Sequence, residues 1–178
     1  MKIIIATGTP GTGKTLLSRK LAGKMNFHYI DANNIVRKYK ISGGYDKKRK
    51  TKLVDANKLN KALIREISSI KNVNKKTGKK TKKKRNIKNG IIIDSHLSHY
   101  LPKKYVDLCI VTKCSLKILQ KRLRKRKYPK EKIRENMDAE IFDVCLNEAR
   151  EKGHNILVLD TSKGIGINKT IKTIKSLK

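Results

Sequence analysis

Apolar residues arrive along this chain in two kinds of run. Short continuous runs rich in β-branched residues read as buried strands: residues 2–7 ending at Gly8, the pair Tyr29-Ile30, residues 90–93 ending in Asp94, residues 105–112, and residues 155–159. Between them apolar residues recur at helical spacing. Residues 13–24 carry Leu16, Leu17 and Leu21 on one side, and a second stretch carries Ile35 and Val36. Asp55 is placed as the N-cap of a helix with Leu59, Leu63, Ile64 and Ile67. Residues 116–126 form another helix, which Tyr128-Pro129 interrupts. A longer helix over 131–151 carries Ile133, Met137, Ile141, Val144 and Cys145 at core spacing, with Gly153 as its stop signal. Residues 167–177 form the last helix.

Two segments break this pattern. Residues 41–52 hold Gly43-Gly44 and many charges and predict a loop. In residues 71–88, ten of eighteen positions are Lys or Arg and none is acidic, which predicts a mobile loop or extended hairpin. Strands alternating with helices predict an α/β fold: a three-layer sandwich around a five-stranded parallel sheet, all 178 residues forming one domain.

Composition narrows the classes available. The formal net charge is +32, a field that favours phosphate-rich partners such as RNA and anionic nucleotides. A solvated basic surface in a salty cytoplasm explains the same charge equally well. Abundant Lys and Ile with a single glutamine, Gln120, fit a protein from a hot environment. Cys109, Cys114 and Cys145 lack ligand spacing, which argues against a disulfide framework and against a zinc site; Cys109, in an apolar run, reads as a small core residue. No apolar stretch approaches the roughly 18 residues of a membrane span. Ile3-Ile4-Ile5 is too short for a signal-peptide core, so a cytoplasmic location is expected.

The chemistry sits in the octet Gly8-Thr9-Pro10-Gly11-Thr12-Gly13-Lys14-Thr15, which follows a strand and opens a helix. Gly11 and Gly13 let successive N–H groups face phosphate oxygens, and the helix N-terminus of Lys14, Thr15 and Leu16 adds its dipole. Lys14 can reach the β- and γ-phosphates of ATP, and the Thr15 hydroxyl can ligate Mg²⁺. Such a loop needs an acid at the end of a second strand for the metal shell, and Asp94 after Ile91-Ile92-Ile93 has that place. Asp160 also ends a strand but reads as a strand-end cap. His96, two residues beyond Asp94, could orient a water or a phosphate. Arg37 could meet a second substrate's phosphate. Among Arg122, Arg124 and Arg126, spacing alone does not choose a partner for the transferring phosphoryl group.

Taken together, these motifs resemble the adenylate kinase isoenzyme 6 family, small atypical nucleotide kinases also described as ribosome-assembly ATPases. The likeness runs in order through the phosphate loop at Gly8, the stretch ending at Arg37, residues 43–59, the strand with Asp94 and His96, and residues 122–142. It implies a P-loop nucleoside-monophosphate-kinase core, a monophosphate-binding region over about residues 31–54 and a short lid over about 125–135. It implies a metal and phosphate role for Asp94, a water- or substrate-orienting role for His96, Arg37 at AMP and Arg126 over ATP. The implied activity is Mg²⁺-dependent phosphate transfer from ATP to AMP. The implied alternative is an ATPase acting in small-subunit ribosome maturation through a ribosomal protein or rRNA. Two features depart from the family pattern: the basic insertion 71–88, expected at the sheet end away from the phosphates, and the basic run after Tyr45-Asp46, where relatives are often acidic.

Overall fold

The computed structural model describes residues 1–48, 51–77 and 88–177. Five strands form one parallel sheet: β1 (Lys2–Thr7), β2 (Phe27–Asp31), β5 (Gly90–Asp94), β6 (Leu108–Lys113) and β7 (Ile156–Asp160), in the order β2-β5-β1-β6-β7. The expected architecture is therefore the observed one. Alternation along the strands explains why the isoleucine runs are continuous. Ile3, Ile5, Ile91 and Ile93 face one side, where α2 (Ala32–Lys38), α3 (Ala56–Thr77) and α6 (Val144–Glu151) supply Ile35, Leu63 and Leu146. Ile4, Ile92 and Ile110 face the other, against Leu17 and Leu21 of α1 (Lys14–Met25) and Ile174 of α7 (Ile167–Ser176). Each such side chain contributes roughly 1.5–3 kcal/mol on leaving water.

A third, smaller cluster lies beside this sandwich. Leu119 and Leu123 of α4 (Leu116–Lys125) pack with Tyr128, and with Ile133 and Met137 of α5 (Lys130–Ile141). Around β1 the chain winds to β5 and β2 on one side and to β6 and β7 on the other. The carboxyl end of β1 is thus the switch point where an open α/β sheet forms a crevice.

Several boundaries differ from the sequence expectation. Residues 41–52 are not simply a loop: β3 (Ser42–Asp46) and β4 (Thr51–Val54) form an antiparallel hairpin, with residues 49–50 outside the described set. Backbone pairing supports this hairpin where no buried apolar face announces a strand, since β3 is mostly exposed. The expected loop 71–88 begins as helix, because α3 continues to Thr77; lysine is a good helix former and propagates a helix already nucleated. Residues 78–87 of that segment lie outside the described set.

The single helix expected over 131–151 is two. Asp143 adopts φ 53, a left-handed conformation, and its carboxylate pairs with the Lys113 ammonium. This turn sends Ile141 and Val144 outward instead of into the core. Leu16 likewise departs from Leu17 and Leu21 and is exposed. The strand expected from residue 105 starts at Leu108, after a 3₁₀ turn over Lys103–Tyr105.

The capping expectations hold. Asp55 accepts from the N–H groups of Asn57 and Lys58 at 2.8 and 3.1 Å, and Asp160 accepts from the Ser162 N–H at 2.7 Å. Gly153, at φ 69, donates to the Arg150 carbonyl just past the end of α6. Cys109 is fully buried.

One position tests how tightly the sheet is closed at its amino-terminal edge. A Cβ on Gly90 would lie 2.4 Å from the Lys2 carbonyl oxygen and 2.6 Å from the Phe27 ring. Gly90→Ala is therefore expected to destabilise the fold by about 1–3 kcal/mol, read as a lower denaturant midpoint at an unchanged slope.

Candidate active site

The phosphate loop is shaped by its backbone and pinned by side chains. Gly8 sits at φ 129, and a Cβ there would lie 2.3 Å from the Thr112 carbonyl oxygen, so only glycine fits. The Thr12 hydroxyl donates to the Thr9 carbonyl at 2.8 Å and meets the Thr112 hydroxyl at 2.7 Å. The Thr161 hydroxyl, just after β7, donates to the Thr12 carbonyl at 2.6 Å. The loop is thus fastened to the ends of both β6 and β7. Gly13 caps α1 without a side-chain bond, which leaves the first N–H groups of the helix to an anion.

Two charged residues complete this fastening, and sequence reasoning singled out neither for it. Glu140, near the end of α5, is buried; its carboxylate accepts from the Thr9 hydroxyl at 2.6 Å and from the Cys114 N–H at 3.0 Å. The Arg122 guanidinium donates to the carbonyls of Gly11 at 3.3 Å and Thr161 at 2.9 Å. These contacts tie α4 and α5 to the loop.

Lys14 is 8% exposed, and its ammonium donates to the carbonyls of Gly8 at 2.7 Å and Thr9 at 3.0 Å. Burial, with Arg126 adding to it, pulls its pKa from 10.5 down to about 8. Asp94, at the end of β5, is 5% exposed and accepts from the Tyr29 hydroxyl at 3.0 Å. Burial and the Asp94 charge push the Tyr29 phenol up to about 12, so it remains a donor. The Arg19 guanidinium lies 5.6 Å from the centroid of the Tyr29 ring.

The backbone beyond Asp94 is stapled to β1: the Ser95 N–H and the Ser98 hydroxyl both donate to the Ala6 carbonyl, and the Thr7 hydroxyl donates to the His96 carbonyl. This anchors His96 at the cleft. Its surface is wetted, but the enclosing protein and the nearby Lys14 charge hold the imidazole well below its usual range, hence neutral. Beneath it, His99 meets the Thr7 hydroxyl at 2.7 Å and the Glu148 carboxylate at 2.8 Å.

A cleft of about 810 Å³ gathers most of the residues chosen from sequence: Gly11, Gly13, Lys14, Thr15, Leu16, Asp94, His96 and Arg126 all line it. Leu16, displaced from the core, forms part of its wall. Arg37 does not line the cleft; its guanidinium rests on the Asn34 side chain one turn back along α2, on the exposed side. Arg19, Asn33 and, from the hairpin, Thr51 line that end of the cleft instead. An adjoining pocket of about 500 Å³ lies between Gly11, Leu16, Arg122, Arg126, Gly164 and Ile165.

Buried Lys14 predicts a measurable trade-off. Below about pH 8 both folded and unfolded chains are protonated there, and the folded state bears the burden of a buried cation. Between about 8 and 10.5 only the unfolded chain binds the proton, so stability rises with pH and the burden fades. Lys14→Met is expected to abolish nucleotide turnover while raising stability at pH 7 by up to about 3 kcal/mol. Thermal melts across this pH range should show the difference shrinking toward zero by about pH 10.5.

Comparison with known proteins agrees with this geometry. Residues 4–143 match the family model described as an AAA domain. A "Putative adenylate kinase" of Methanocaldococcus jannaschii is 35% identical over the whole chain and 88% of its own length. An adenylate kinase isoenzyme 6 homolog of Dictyostelium discoideum is 31% identical over 88% of the chain and 79% of its own length. Among solved structures, shikimate kinase from Acinetobacter baumannii, in complex with shikimate, superposes with a TM-score of 0.56 at 15% identity, over 100% of this chain and 96% of that one. That likeness concerns the fold alone. A phosphate loop, an acid at the neighbouring strand end and sequence kinship through the chain agree: it belongs to the adenylate kinase isoenzyme 6 family of nucleotide kinases.

Proposed function

We propose that this chain transfers the γ-phosphoryl group of ATP to AMP, yielding two ADP. The observation that carries this reading is a single cleft running from the Lys14 cradle to Arg19, Asn33 and Thr51, with Asp94 and His96 along it. ATP phosphates would lie on the loop N–H groups and Lys14, and the adenine in the adjoining pocket beside Arg122 and Ile165. AMP would occupy the other end, with Arg19 facing its phosphate and Arg37 swinging in from α2.

The donors suit Mg²⁺. The Thr15 hydroxyl and the Asp94 carboxylate are hard oxygen ligands on one cleft wall, and two protein ligands leave the remaining positions to phosphate and water. Among the described residues there is no cluster of three or more His, Cys, Asp or Glu that would favour a dedicated protein cage. When bound, Mg²⁺ neutralises charge on the β- and γ-phosphate oxygens. Lys14 and Arg126 add fixed positive charge to the same group.

In the transfer, an oxygen of the AMP phosphate forms a bond to the γ-phosphorus while the bond from that phosphorus to the β,γ-bridging oxygen breaks. The attacking oxygen is already anionic, so the step needs no general base. A neutral His96 fits that requirement by orienting the acceptor oxygen without abstracting a proton. Closure of the lid segment, residues 125–135, would exclude water and favour AMP over hydrolysis.

A second reading has its own support. The charge of +32 and the ten Lys or Arg residues within 71–88 suit an ATPase that acts in small-subunit assembly on rRNA or a ribosomal protein. The chain returns to the described structure at Lys88 and Asn89, whose N–H donates to the Asn26 carbonyl at the amino-terminal edge of the sheet. The insertion therefore joins the body away from the phosphate loop, where a partner would leave the cleft open.

Product analysis with ATP tests the first reading. ADP formation should depend on AMP, and Arg37→Ala should raise KM for AMP at least tenfold while leaving KM for ATP nearly unchanged. Turnover identical with and without AMP, or with any other monophosphate, would refute it. For the second reading, deletion of residues 71–88 should weaken association with RNA or small subunits and flatten its salt dependence, while ATP turnover persists. An unaltered salt slope after deletion would remove the insertion from that role.

A further inference from the structure

Helix α5 presents a polar stripe to the protein. Asn136 and Glu140 are its buried residues, and Lys132 lies four positions before Asn136, so the three recur on one face. The foot of this stripe is fixed, because Glu140 is bonded to Thr9 and to the Cys114 N–H. Its head stands eight residues away, roughly 12 Å along the axis, at the wall of the transfer cleft that Lys14, Asp94 and His96 share.

Lys132 is half-buried and lines that cleft, where most of the described lysines are exposed. Two other half-buried lysines are held by oxygen: Lys2 donates to the carbonyls of Ile174 and Leu177, and Lys113 pairs with Asp143. The Lys132 ammonium instead stands 4.4 Å from the centroid of the Tyr128 ring. An aromatic face favours a cation without occupying an oxygen acceptor.

We propose that Lys132 is a second phosphate-binding catalytic residue of the transfer site, contacting the equatorial oxygens of the γ-phosphoryl group from the lid-helix side while Lys14 contacts them from the loop side. Tyr128 is its resting post, and the Glu140–Thr9 bond sets the distance between the two cations. The assignment rests on the phosphoryl-transfer reading above. Charge on those oxygens is spread most widely in the transition state, so a cation placed there acts on kcat more than on ground-state binding.

The test compares wild type, Lys132→Met and Lys132→Arg in steady state, with ATP alone and with ATP plus AMP. Lys132→Met should lower kcat by about 10- to 100-fold, less than a rigid donor because lysine is a flexible point charge. KM for ATP should change by less than about threefold, thermal melting should match wild type, and Lys132→Arg should recover most of the rate. An unchanged kcat in Lys132→Met, or a change confined to KM for either nucleotide, would overturn the assignment. So would a loss that arginine fails to repair while melting is unchanged. Wild-type turnover that ignores AMP would instead defeat the acceptor reading, and the same kcat comparison, made on ATP hydrolysis, would still decide Lys132.

Discussion

Keeping a protonated amine buried at the head of β1 is the constraint around which this structure is arranged. The Lys14 ammonium is accommodated by the carbonyls of Gly8 and Thr9, in a loop whose backbone only glycine can follow at Gly8. Burial disfavours its charge, as the lowered pKa shows. The loop must therefore be held from outside. Thr12, Thr112 and Thr161 bind it to two strand ends, Glu140 binds it from α5, and Arg122 binds it from α4. A site strained in this way is prepared for an anion, because a phosphate relieves what folding imposed.

That arrangement rests on a base and is enclosed by walls. The base comes from isoleucines alternating through β1 and β5, which bury both sheet faces and fix the register that brings Ala6 opposite Asp94. The walls come from elements outside the main sheet: the exposed hairpin of β3 and β4, which supplies Thr51, and the α4–α5 pair over its own small cluster. Glu140 and Arg122 join the α4–α5 pair directly to the phosphate loop, so the position of that pair and the shape of the cradle are fixed together.

Charge operates here on two length scales. Within the cleft a few cations at fixed positions decide chemistry, and their low-dielectric surroundings make each one count. Across the surface an excess of +32 draws anions toward the protein over about one Debye length, near 8 Å at physiological salt. The first scale acts on a bound phosphate; the second is a long-range field of the whole surface and is independent of the first.

Contiguous signals were legible in the sequence. The octet from Gly8 to Thr15, the apolar run ending at Asp94 and the alternation of strand and helix all encode short-range geometry, so they revealed the fold, the phosphate cradle and the loop and strand-end side of the cleft. Residues whose partners lie far along the chain were not legible. Glu140 meets Thr9 across 131 positions and Arg122 meets Gly11 across 111, and neither has a local pattern marking it as a loop anchor. Arg19 reads as one more exposed charge on α1 until the fold sets its guanidinium over the Tyr29 ring, on the cleft that Asp94 also lines. The break at Asp143 and the outward turn of Ile141 were hidden because helical periodicity continues through them; it is the Lys113 ammonium, from the end of β6, that holds the turn's carboxylate. Periodicity and motifs thus determined the five-stranded sheet with its flanking helices and the position of the phosphate loop. Only tertiary packing decided which charges face that phosphate, because it alone brings distant side chains within hydrogen-bond reach.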